Sequence, residues 1–103
     1  MNKDLIRILA ECAAVCNHCA VACLQEEDVK MMEKCIRLDM DCAAICKMAQ
    51  EYVARDSTMA RDVLDLCARV CRACGEECGK HKHEHCQMCT EACRRCEQAC
   101  QQA

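Results

Sequence analysis

Apolar positions recur three and four residues apart along most of this chain. Leu5, Ile8 and Leu9 begin the pattern, and Cys12, Cys16, Cys19 and Cys23 continue it, with Arg7, Glu11 and Asn17 falling between them. An α-helix turns about 100° per residue, so steps of three and four return to one face. The periodicity predicts four helices, over about residues 3–25, 29–54, 58–78 and 84–102. The polar stretch from Gln25 to Asp28 separates the first two, and Asp28 is placed to cap the second. Asp56, Ser57 and Thr58 form the next turn, with Ser57 as the N-cap of the third helix. Gly79 suits the position just past that helix, and Lys80 to His83 lead into the fourth. There is no Pro and only two Gly to interrupt helix. Connections this short make neighbours antiparallel. The expectation is an all-α, up-down-up-down four-helix bundle forming a single domain over residues 1–103.

What fills the repeating positions is unusual. Sixteen residues are cysteine. After the four in the first helix come Cys35, Cys42 and Cys46, then Cys67, Cys71, Cys74 and Cys78, then Cys86, Cys89, Cys93, Cys96 and Cys100. The four in the first helix fall within about 60° of one another, and the fourth helix drifts but stays within about 80°. Each group is a sulfur stripe on one helix, and four stripes make a thiol-lined core. In the second stripe Leu38 is expected to take the inward position between Cys35 and Cys42.

The stripes are unevenly placed along the bundle. The first helix is apolar before its cysteines begin. The second is apolar after them, at Ile45, Ala49 and Val53, and the third before them, at Ala60, Val63 and Leu64. Antiparallel packing gathers these segments at one end. Sulfur fills the rest, and the other end carries Met31, Met32, His81, His83 and His85. The reading is a tube with a hydrocarbon plug and a soft-ligand mouth.

Composition removes several alternatives. A net charge of −3 with both signs interspersed and no aromatic platform gives no nucleic-acid surface. Asp4, Arg7 and Glu11 break the N-terminal apolar pattern, which reads as neither leader nor anchor, and no apolar run is expected to span a bilayer. The expected compartment is cytoplasmic, where thiols stay reduced. No pair of cysteines stands out as the exposed, low-pKa pair a thiol oxidoreductase needs, so the chain is not read as an enzyme.

Side chains three or four apart on a helix have Cβ atoms about 5–6 Å apart. That spacing lets two sulfurs flank an ion but exceeds the roughly 3.8 Å of a relaxed disulfide. Thiolates suit Cu(I), zinc and iron–sulfur clusters. Four Zn²⁺ on sixteen thiolates would leave a formal charge of about −8 in a thin core, which is very costly to bury. About one Cu⁺ per thiolate leaves the interior nearly neutral by the same reckoning. Iron–sulfur proteins draw their cysteines from loops, and no such run occurs. Multiple Cu(I) ions are therefore the expected cargo. The alternatives are a zinc or iron–sulfur protein and a disulfide-stapled structural module.

With CxxxC and CxxC repeated on four helices, the chain resembles the bacterial copper storage proteins over nearly its whole length. The resemblance implies Cu(I) storage, buffering or detoxification along the bundle axis through the sixteen cysteines. It also implies a cytosolic branch with His81, His83 and His85 as metal ligands at the open end, and assembly as a homotetramer.

The remaining residues sort by face. His18 lies about 120° from the first stripe and reads as surface. Met40 and Met48 lie on the far side of the second helix. Met31, Met32 and Met88 lie near the mouth, and Asp and Glu occupy outer faces as solvated charges. Outward-facing Ile6, Ala10, Ala14, Val21 and Leu24, with Met40, Ala44 and Met48, make an apolar outer face on the first two helices. Such a face marks a partner surface, so the homo-oligomer is expected to form there. Expected partners are copper ions, a copper chaperone and further copies of the chain, without nucleic acid or membrane.

Overall fold

A computed structural model describes residues 1–103. Four helices account for most of it: α1 (Lys3–Leu24), α2 (Glu33–Ala54), α3 (Ala60–Cys78) and α4 (Glu84–Gln102). Each helix packs on its two sequence or ring neighbours, α1 on α2 and α4, and α3 on α2 and α4, which closes an up-down-up-down ring measuring 44 × 18 × 17 Å.

The ends differ in detail from the expected boundaries. Asn2 caps α1, its side chain accepting from the Leu5 amide at 3.1 Å. Residues Val29–Met32 form one 3₁₀ turn rather than the start of α2. Asp28 caps that turn through the Met31 amide, at 3.3 Å. Ser57 accepts from the Met59 amide at 3.0 Å, in the turn that leads into α3. Gly79 ends α3 in a right-handed conformation (φ −63°), with its amide donating to the Gly75 carbonyl at 2.9 Å.

Small side chains let the helices approach closely. A Cβ on Gly75 would lie 3.3 Å from the Cys93 Cβ, so glycine here sets the α3–α4 distance. Thr90 fills the neighbouring space and donates to the Cys86 carbonyl at 3.0 Å and the Gly75 carbonyl at 3.3 Å.

The plug lies where the sequence places it. Leu5, Leu9, Ile45, Ala49 and Leu64 are buried there, with Ile8, Val53 and Val63 packed against them. Arg61 closes this end. Its guanidinium donates to the Ala103 and Cys100 carbonyls, both at 2.7 Å, and to Asp65 at 3.0 Å. These bonds satisfy carbonyls that the last turn of α4 leaves without helical partners.

One expectation needs correction. α1 is long and apolar enough to cross a membrane by length and composition, with a mean hydropathy of 1.5 over its best window. Cysteine and alanine supply that hydropathy. In the bundle its sulfur face is turned inward and buried in the core.

Candidate metal centre

All sixteen cysteines are buried free thiols. Because each stripe faces the axis, the sulfurs of four helices mesh into one column. Cys12 meets Cys42 at 3.9 Å, and Cys16 meets Cys93 at 3.7 Å and Cys89 at 3.8 Å. Cys42 lies 3.6 Å from Cys71, and Cys46 lies 3.7 Å from Cys67 and 3.8 Å from Cys96. Cys35 and Cys78 approach most closely, at 2.8 Å. Metal–thiolate bonds of about 2.3 Å across gaps of 3.6–4.0 Å would subtend roughly 105–120°, which suits three- or four-coordinate metal.

Sulfurs gather in sets of four whose members all lie within 4.8 Å of one another. Cys19, Cys23, Cys35 and Cys86 form such a set at the mouth, and Cys46, Cys67, Cys71 and Cys96 form one toward the plug. Between them the sets overlap: Cys12 and Cys42 belong both with Cys46 and Cys71 and with Cys16 and Cys93. Burial raises the Cys86 thiol to about 11 and pushes Cys23 up as well. These two mouth thiols are accordingly neutral without metal, and an incoming ion must displace their protons.

The expected place of Leu38 is taken by its neighbour. Leu38 is only half-buried, whereas Asp39 is fully buried among sulfurs. Its Oδ1 accepts from Cys89 at 3.0 Å, Cys74 at 3.2 Å and Cys78 at 3.4 Å, and its Oδ2 from Cys35 at 3.7 Å. The stripe on α2 therefore reads Cys35, Asp39, Cys42, Cys46, with steps of four, three and four. Burial and the nearby Cys89 thiol push the Asp39 carboxyl up to about 8. Helical arithmetic held the signal: from Cys35, Asp39 turns by about 40° and Leu38 by about 60° the other way. Only the expectation that carboxylates face water pointed to Leu38.

The three mouth histidines separate. His85 sits at the start of α4 with its Nδ1 over the sulfurs, 3.5 Å from Cys86, 3.6 Å from Cys19 and 3.7 Å from Cys23. Its Nε2 lies 3.0 Å from Glu26 Oε2. His83 stacks parallel on His85, with centroids 5.3 Å apart. His81 is held instead by Glu77, at 3.4 Å. Glu77 is itself nearly buried. Burial would raise its carboxyl, but hydrogen bonds from Lys80 and His81 outweigh this and hold it below the usual range. Glu77 and Asp39 are thus the two acidic residues the core takes in. Around the mouth, Glu26, Glu27, Asp28, Met31, Met32, His81 and His83 line a recess of about 280 Å³. Met32 is buried beneath it, whereas Met31 and Met88 are exposed. His18 is on the surface.

A closed helical ring with a continuous interior of free thiols defines a protein that takes up several soft metal ions, not one structural ion. The chain belongs to the copper storage protein family, whose pattern it matches over residues 1–103. It is 44% identical over 90 residues to the uncharacterized cysteine-rich protein YhjQ of Bacillus subtilis (strain 168), covering 87% of this chain and 83% of that one. Its fold is similar to a Cu(I)-bound copper storage protein, BsCsp3, with a TM-score of 0.93 and 42% identity over 97% of this chain and 94% of that one. The copper storage protein of Streptomyces lividans, loaded with 10 copper equivalents, gives a TM-score of 0.93 at 48% identity over 96% of this chain and 80% of that one. A further structure of a cytosolic copper storage protein from Streptomyces lividans, carrying five coppers, matches with a TM-score of 0.92 at 48% identity over 95% of this chain and 87% of that one.

Proposed function

We propose that this chain stores many Cu(I) ions along its axis, held by Cys12, Cys16, Cys19, Cys23, Cys35, Cys42, Cys46, Cys67, Cys71, Cys74, Cys78, Cys86, Cys89, Cys93, Cys96 and Cys100. The observation that carries the reading is the overlap of four-sulfur sets in a fully buried column. A thiolate shared between sets bridges two ions. Bridging by monovalent copper keeps charge and ligand number balanced in a core that water does not reach. Each ion that binds displaces thiol protons.

At the mouth, His85 Nδ1 supplements the thiols of Cys19, Cys23 and Cys86 as copper passes in or out. His83 and His81 serve the recess outside them. The role is storage rather than catalysis, the compartment is the cytoplasm, and a copper chaperone is the expected donor. The chain assembles as a homotetramer through α1 and α2. Val21 and Leu24 on α1 and Met40 and Met48 on α2 are exposed, and an open groove of about 790 Å³ runs past Leu24, Val29, Ile36 and Met40.

The test is anaerobic titration of the fully reduced protein with Cu(I) against a competing chelator, with thiols counted in parallel. Binding of more than about ten Cu(I) per chain is expected, since near one Cu⁺ per thiolate keeps the interior close to neutral. Saturation at about four ions, the number sixteen thiols allow in separate tetrahedral sites, would overturn the reading.

A further inference from the structure

Glu26 lies in the turn that follows α1 and reaches across the mouth to the first turn of α4. Its Oε2 stands 3.0 Å from His85 Nε2 and 3.5 Å from His83 Nδ1, so one carboxylate oxygen serves two stacked imidazoles. Glu26 is part-exposed at the rim of the mouth, where a carboxylate is ordinarily ionised at neutral pH. An ionised carboxylate can only accept hydrogen bonds.

A neutral imidazole carries its single proton on one nitrogen or the other. With the proton on Nε2, His85 donates to Glu26, and Nδ1 presents a lone pair to Cys19, Cys23 and Cys86. With the proton on Nδ1, two lone pairs would face each other at 3.0 Å across the Glu26 contact, and no ring nitrogen would offer electrons to the sulfur side. We propose that Glu26 is a positioning residue for copper transfer. It fixes His85 as the Nε2–H tautomer and so keeps a ready donor atom aimed at the outermost thiols before any metal arrives. His83, held by the same oxygen and stacked on the same ring, keeps His85 from turning away.

This deepens the copper-storage reading and rests on it for its purpose, but the tautomer itself is measurable without copper. Reduced, metal-free protein labelled with ¹⁵N-histidine is followed by long-range ¹⁵N–¹H NMR at pH 7.5. The His85 ring is assigned by its loss in His85→Ala. The wild type should show His85 as Nε2–H. Glu26→Ala should give a mixture with the Nδ1–H form. Glu26→Gln, whose amide oxygen still accepts a hydrogen bond, should return the ring to Nε2–H. Removing the partner of a ligating histidine costs roughly 10- to 100-fold in metal affinity or activity. Copper intake by Glu26→Ala should accordingly slow by about 10-fold at unchanged total capacity, with recovery in Glu26→Gln. An Nδ1–H or doubly protonated ring in the wild type overturns the proposal. So does an unchanged tautomer or an unchanged intake rate in Glu26→Ala. Failure of the protein to store copper at all would appear in the titration and leave the NMR result standing.

Discussion

Asp39→Asn should reverse part of the pH dependence of the metal-free protein. Asp39 is fully buried, and its carboxyl is pushed from an ordinary 3.8 up to about 8. Between those values the folded chain holds a proton that the unfolded chain has released. The stability this group contributes is therefore complete below pH 3.8, falls as pH rises through the window, and is gone above about pH 8. One pH unit inside the window is worth about 1.4 kcal/mol. From pH 5 to pH 7 the wild type should lose about 2–3 kcal/mol on this account. The amide of Asp39→Asn keeps an oxygen acceptor for the thiols and does not titrate, so the variant should lose that much less. Urea unfolding of reduced, copper-free protein, followed by circular dichroism at pH 5 and pH 7, measures it. The quantity needed is the difference between the two proteins' pH slopes, because histidines and other carboxylates contribute equally to both. Equal slopes would refute the argument, and so would a steeper slope in the variant.

Two further outcomes are expected. Replacing His81, His83 and His85 together by Ala should change the rate of copper loading and removal far more than total capacity, and His85→Ala alone should reproduce most of the effect while His81→Ala does little; stopped-flow transfer to a chelator distinguishes these, and unchanged kinetics in the triple variant would return the residues to a plain solvated turn. Ala14→Glu with Val21→Glu should convert the oligomer to monomer without loss of helicity or thiol count, because both positions are exposed on α1 and away from the sulfur stripe; analytical ultracentrifugation reads this out, and a wild type that is already monomeric at micromolar concentration rules the interface out.

Helix count, bundle order and the sulfur column were legible because one physical rule governs them all. Steps of three and four choose a face, and Cys12 to Cys100 keep to those steps with little else competing. The plug was legible for the same reason. Asp39 was not, because two rules disagreed there. Periodicity placed it inward, while the cost of burying a carboxyl placed it outward. Four surrounding thiols settle the conflict by donating hydrogen bonds and by leaving the group protonated. The histidines show another limit. Their alternating spacing says only that they share a turn. The sorting of His85 toward sulfur and His81 toward Glu77 depends on partners 59 and four residues away.

The overlap of the four-sulfur sets also bears on movement. Cys16 and Cys93 belong at once to the set containing Cys12 and Cys42 and to the set containing Cys74 and Cys89. On the storage reading, an ion held in one set would already touch sulfurs of the next. It would then migrate by adding a neighbouring thiolate before releasing the one behind, without a step that exposes a bare ion to the apolar walls. Arg61 and the hydrocarbon plug stop one end and His85 stands at the other, so on the storage reading ions would enter and leave past His85. Ions placed deepest would then wait for those nearer the mouth to leave, with residence time graded along the axis from Cys86 to Cys100.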